Sequence, residues 1–421
     1  MRISPVAAAF RSEWSPLVAA LLRQFGDLSL AEDCAQEAFV AASVAWPASG
    51  PPDRPGAWLL TTARRKAIDR LRRDRRYDAR LADLAGPVGG GAGVAGAPSA
   101  TADDGPAPTT VAGDDHLALL FGCCHPALDV ETQVALTLRY GAGLSTAQIA
   151  SAFQVPEPTM AKRLVRAKHK IRAAGVPIRV PDPEDRPERL DALCGVVYGI
   201  LTEGHASASG AVLVRGNLCD EAVWLAETLA RLAPAEPEVR GLAALCLLTD
   251  ARRPARTDAD GQPVLLADQD RGRWDAGKIE RGLTHLAEAR RWGRIGPYQL
   301  QARLAGLHAV APSFAATDWD QVVATYDQIL TLGDQPVVAL NRAAAVAERD
   351  GPAAGLALID DLVEDGTLVD YHYLHSARAE LLRRLGRHAE ADDAYVRALA
   401  LTGNDAERRW LAHRREALSR P

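Results

Sequence analysis

Apolar positions return every three or four residues in several long stretches of this chain, the spacing of one helix face. In LAEDCAQEAFVAAS, Leu30, Cys34, Ala38 and Ala42 form one apolar stripe, with Glu32, Asp33, Gln36, Glu37 and Val40 elsewhere. This pattern predicts an amphipathic helix with an acidic shoulder, opened by a capping box between Ser29 and Glu32. A second helix is predicted over RPGAWLLTTARRKAIDRLRRDRR, with Pro55 at its first position and Ala57, Leu60, Ala63, Ala67 and Leu71 toward a core. Farther on, Ser145 and Gln148 make a capping box for a short helix whose inner face is Ile149, Ala150 and Phe153. A turn at Gln154 to Pro156 leads into a helix with Met160, Leu164, Ala167 and Ile171 at core spacing and Lys162, Arg163, Arg166 and Lys170 on its remaining surface. Two short helices so joined predict a helix-turn-helix.

Two stretches interrupt the pattern. Residues 86–113 contain eight glycines and four prolines and almost no large apolar side chain, too little burial to offset the entropy of ordering. Prolines break VPIRVPDPEDRP between Val176 and Pro187. The expected organisation is all-α: a helical unit over 8–80, a flexible Gly/Ala/Pro linker over 81–113, a helix-turn-helix unit over 114–178, a helical segment over 185–300 and helical repeats over 301–418. The repeat expectation rests on DWDQVVATYDQIL, GPAAGLALIDDL and GRHAEADDAYVRAL, which share a small-residue, apolar and aromatic pattern. Gly351 and Gly386 lie 35 apart and Tyr326 and Tyr395 lie 69 apart, a period close to that of tetratricopeptide-type hairpins.

Charge divides the chain. Residues 1–180 carry 21 Lys/Arg against 17 Asp/Glu, and the remainder carries 28 against 37. The first part is therefore the expected polyanion binder, and the acidic second part is a poor candidate for nucleic acid. No apolar run reaches a membrane span and the first residues lack a signal peptide, so no membrane partner and a cytoplasmic location are expected. Six scattered cysteines without C-x-x-C spacing then read as free, buried thiols.

Between Arg64 and Arg80 nine Lys/Arg stand against three Asp, and Trp58 precedes them, a combination suited to phosphates and an unpaired base. A solvated helix laced by pairs such as Arg65 with Asp69 is the plain alternative. From Lys162 to Arg172 there are six cations and no acid, which a solvated surface explains less well. Such a helix enters the major groove with its early side chains on base edges and its later cations on phosphates.

Together these stretches resemble the extracytoplasmic-function sigma factors, over roughly residues 8–175, and the whole chain resembles a subgroup with a long C-terminal extension. LSLAEDCAQEAFVAA resembles the stretch that grips the clamp helices of RNA polymerase, RPGAWLLTTARRKAIDRLRR the stretch that engages the minus-ten element, and LSTAQIASAFQVPEPTMAKRLVRAKHKIR the minus-thirty-five reader. The resemblance makes 8–80 sigma domain two and 114–178 sigma domain four. It implies that Glu32, Asp33, Gln36, Glu37 and Phe39 face polymerase, that Trp58, Arg64, Arg65, Lys66 and Arg72 lie at minus-ten DNA, and that Thr159, Lys162, Arg163 and Arg166 lie at minus-thirty-five DNA. The implied partners are core RNA polymerase, through its clamp helices and flap, and promoter DNA. The implied activity is promoter recognition without catalysis, cofactor or metal. The extension would regulate that activity or bind a regulatory protein or peptide at its repeats.

Other readings compete. A helical-repeat adaptor with autonomous helix-turn-helix DNA binding is one, although it has no use for the acidic shoulder of Glu32 to Glu37. An enzyme or metal site at Asp268, Asp270 and Asp275 is another, but no histidines or nucleophile accompany the carboxylates; a salt-bridged inter-domain contact with Arg271 and Arg273 is the simpler expectation. Cys123, Cys124 and His125 suit zinc by type, yet adjacent cysteines on a helix point apart. Glu203, Gly204 and His205 read as a capped helix end.

Overall fold

In the computed structural model, residues 4–85, 113–173, 175–176, 178–333 and 335–419 are described. The expected linker lies outside them over 86–112, while residues 81–85 continue a helix. Regular structure among the described residues is helical, save a two-residue parallel pairing of β1 (Ser209–Gly210) with β2 (Gly403–Asn404). The chain divides into two compact units, Met1–Val196 and Val197–Pro421.

In the first unit, α1 (Pro5–Phe25), α2 (Leu28–Ser49) and α3 (Pro55–Ala85) pack through Leu17, Leu21, Ala35, Ala38, Leu59 and Ala63, all buried. The expected Ser29 and Glu32 box does not open α2. Asp27 does, its carboxylate accepting hydrogen bonds from the Ser29 and Leu30 amides at 2.8 and 3.0 Å. Asp27 holds the extended backbone a cap requires, whereas Ser29 already lies inside the helix. α4 (Gly113–Cys123), α5 (Val130–Leu136) and a π-helical turn over Thr137–Gly141 precede α6 (Thr146–Ala152) and α7 (Glu157–Ala173). Here the expected box forms in both directions: Ser145 N–H donates to Gln148 Oε1 at 2.8 Å, and Gln148 N–H to Ser145 Oγ at 3.2 Å. α7 buries Met160, Leu164, Ala167 and Ile171, the four residues its periodicity selects. The helix α8 (Arg186–His205) contains the division between units.

In the second unit, α9 (Gly216–Leu232), α11 (Ala276–Arg290) and α12 (Pro297–Val310) surround α10 (Pro237–Asp250). α10 is buried on nearly every side, as its unbroken GLAALCLL run dictates. It ends on Asp250, a fully buried carboxylate paired with Arg253 at 3.0 Å and Lys278 at 2.6 Å. Three helical hairpins follow: α13 (Trp319–Leu330) with α14 (Pro336–Asp350), α15 (Pro352–Asp365) with α16 (His372–Arg384), and α17 (His388–Leu401) with α18 (Asp405–Glu416). Each segment singled out by the repeat pattern is the first helix of one hairpin. At Gly355 a Cβ would stand 2.4 Å from Ala347 Cβ and 2.7 Å from Ala343 O, so the close approach of α14 and α15 requires glycine.

Candidate nucleic-acid interface

The acidic and basic faces expected to serve different partners meet along one seam. Lys66 Nζ lies 3.1 Å from Glu37 Oε2, and Arg70 lies 2.9 Å from Asp33 Oδ2, joining α3 to α2. Asp33, Gln36 and Glu37 line an open groove of about 690 Å³ with Val40, Val44 and the two cations. Val40 and Val44 are exposed at 64% and 76%, two apolar side chains on the wall of that groove. The helix pattern set Val40 off the buried stripe, which was the signal for this surface; Val44 carried the same signal one turn on. Along α3, Arg65 and Arg72 are exposed and Arg64 is half-buried. Trp58 is half-buried, its ring edge-on to that of buried Trp46 at 5.6 Å.

Glu32 and Phe39 do not join that surface. Phe39 is buried, with its ring centroid 4.9 Å from Phe10 and 6.3 Å from Trp14. Glu32 is buried at 7% exposure. It accepts hydrogen bonds from Arg139 Nε at 2.8 Å, from the Arg139 NH2 group and from Tyr140 Oη at 2.7 Å, and pairs with Lys168 Nζ at 3.3 Å. Burial alone would raise its affinity for protons, but Arg139, Tyr140 and Lys168 outweigh burial and hold the carboxyl below its ordinary value. The π-helical turn supplies both Arg139 and Tyr140, and its Arg139 carbonyl accepts a hydrogen bond from Trp14 Nε1 at 3.1 Å.

α7 divides its cations between two sides. Thr159, Lys162 and Arg166 are exposed. Arg163 is half-buried, 2.7 Å from Glu131 and over the Phe153 ring at 5.6 Å. Lys168 reaches Glu32, and Arg172 reaches Asp27 at 2.8 Å, so the far end of the helix is tied to the start of α2. The helix-turn-helix thereby keeps its outward face clear while its inward cations are neutralised.

Sigma-70 region 2 matches residues 10–77 and Sigma-70, region 4 matches residues 118–171, the two helical stretches that carry these surfaces. A family of unknown function (DUF6596) matches residues 189–290. An uncharacterized protein of Rhizobium meliloti (strain 1021) is 43% identical over 404 residues, covering 93% of this chain and 90% of that one. The chain belongs to the extracytoplasmic-function-like sigma factors. Its role lies in promoter recognition, and residues 189–290 belong to a C-terminal extension of that family type.

The remaining candidate chemistry of this sigma factor has structural uses. Burial pushes the Cys124 thiol up to about 12 and the Cys123 thiol well above its ordinary value, so both are neutral, and Cys124 Sγ lies 3.4 Å from Thr137 Oγ1. His125 Nδ1 accepts a hydrogen bond from the Ala127 amide at 3.1 Å. All six cysteines are buried thiols outside any disulfide. Asp270 and Asp275 cap local turns, accepting from the Gly272 amide at 2.9 Å and the Lys278 amide at 3.0 Å. Arg271 is not held in the expected salt bridge. It donates to the carbonyls of His308 and Ala311 and stacks 4.5 Å over Trp274. Among the described residues, no helix is long and apolar enough to cross a membrane.

Proposed function

We propose that this sigma factor binds core RNA polymerase in the cytoplasm through the exposed side of α2, with Asp33, Gln36 and Glu37 framing Val40 and Val44. Arg64, Arg65, Lys66 and Arg72 with Trp58 then meet minus-ten DNA. Thr159, Lys162 and Arg166 of α7 meet minus-thirty-five DNA, and the C-terminal extension regulates the activity or receives a partner. The observation that carries this reading is the clear outer face of α7, three exposed polar or cationic side chains on a helix whose opposite side is fully packed. The two promoter elements lie about 25 base pairs apart, about 85 Å at roughly 3.4 Å per base pair. Reading both at once therefore requires α7 to leave Glu32 and Asp27, to which it is bonded at 3.3 and 2.8 Å.

Run-off transcription by the full chain with core polymerase on a promoter library tests the reading. Promoter-specific transcripts are expected. DNA binding without any association with polymerase would replace it by the autonomous adaptor. The individual contacts are separable by salt. Arg166→Ala is expected to lower the slope of log affinity against log salt by about one, the release of one phosphate contact. Arg163→Ala should change the slope less, because Glu131 already neutralises it. Equal slopes for wild type and Arg166→Ala would remove Arg166 from the interface.

A further inference from the structure

The connection from α10 to α11, Ala251 to Asp275, is long and carries only 3-10 turns and one bridge between Thr257 and Pro263. Long ordered connections of this kind are commonly functional. With α16 and α18 it encloses a pocket of about 260 Å³ in the second unit. Leu265, Leu266, Trp410 and Leu411 give it apolar walls, and Arg252 and Arg256 give it charge.

These two arginines are expensive as they stand. Among the described residues neither forms an ion pair, and Arg256 Nε is buried without a hydrogen-bond partner. Arg271 lies close enough to Arg252 to add to the repulsion, and the two lie 4.5 and 5.9 Å from the centre of the Trp274 ring. Glu407 is the nearby acid, but its carboxylate is engaged by His372 Nε2 at 3.1 Å, Tyr373 Oη at 2.5 Å and Thr402 Oγ1 at 3.4 Å. Desolvation by burial, with Arg256 and Arg271 adding to it, brings Arg252 down to about 10. Burial and the same cations keep His205 and His308 neutral beside the cluster. Clustered cations taken from water without a counter-charge are stabilised by an anion that completes their hydrogen bonds.

We propose that this pocket is a binding site for a small organic anion, a carboxylate or phosphate ester. Its charged end sits on Arg252 and Arg256 and its apolar body lies against Leu265, Leu266 and Trp410. The volume, at the small end of ligand sites, suits a metabolite-sized molecule and not a peptide. The site makes the extension a receptor for a small molecule, a role independent of the promoter contacts.

Isothermal titration of the full chain with phenyl phosphate, phenylacetate and neutral phenylacetamide tests this. At least one anion is expected to bind saturably, with the headgroup preference separating phosphate from carboxylate, and phenylacetamide is expected not to bind. Arg256→Gln should weaken the anion at least about tenfold, the loss of a charge-assisted contact. Ser376 lies on the pocket wall, and Ser376→Phe should weaken binding similarly by filling space while leaving both arginines in place. It gives the reading if Arg256→Gln loses its helical circular dichroism. No saturable binding of either anion up to about 1 mM, equal binding of the amide, or affinity unchanged in both variants overturns the site.

Discussion

Glu32→Ala is expected to lower the stability of the first unit by about 3–5 kcal/mol, the cost of removing one member of a buried ion pair and leaving the other uncompensated. Arg139 keeps only its bond to the Leu144 carbonyl, and Tyr140 Oη loses its acceptor. Urea denaturation of the full chain followed by circular dichroism measures it, with the first unit's transition moving to lower urea. A change below about 1 kcal/mol would mean that the pair is no stronger than a surface contact. The pH dependence has a fixed sign. The folded carboxyl titrates below its ordinary value of 4.5, so its contribution is complete above that value and is lost as pH falls through the folded value. The wild type should therefore lose more stability below about pH 4.5 than Glu32→Gln does.

Asp250→Ala should be comparably damaging to the second unit. Its carboxylate is fully buried between Arg253 and Lys278, from the turn after α10 and from α11; its loss leaves Lys278 only the looser contact with Asp275 at 3.9 Å, while Arg253 keeps Asp220 at 2.5 Å. About 3–5 kcal/mol is expected. Asp392→Ala is the matched control, because the Asp392 pair with Arg415 is 43% exposed on each side and about 0–1 kcal/mol is expected. Similar shifts in denaturation midpoint for the two variants would contradict the assignment of Asp250 as a buried anchor.

Much of the architecture was legible because it is encoded locally. The Ser145 box, the four buried residues of α7 and the three hairpin-opening helices each follow from residues within one or two turns of each other. The failures share a cause at longer range. Periodicity assigns Glu32 to solvent because a carboxylate off the apolar stripe normally belongs there; its partners Arg139 and Lys168 are more than a hundred positions away. Phe39 was carried to the polymerase surface by resemblance alone, and its burial follows from Phe10 and Trp14 on α1, outside the motif that suggested it. The Lys66 and Glu37 pair joins two motifs on different helices, 29 positions apart. The Arg252 and Arg256 pocket had no sequence signal, since its arginines, Leu265 and Leu266 lie in an irregular connection and the rest of its wall, including Tyr373 and Trp410, comes from helices over a hundred residues later.

The shared seam between α2 and α3 has a thermodynamic corollary. Asp33 and Glu37 occupy Arg70 and Lys66, so whatever draws those acids away leaves two cations unsatisfied and ready for phosphate, and whatever draws the cations away frees the acids. If polymerase takes the acids and DNA the cations, each removes a cost the other would meet, and reciprocity makes them strengthen one another by the same factor. With two exposed pairs worth about 0.2–1 kcal/mol each, that factor would lie between about twofold and about thirtyfold, a bias toward promoter DNA in the assembled holoenzyme over DNA met by the free subunit.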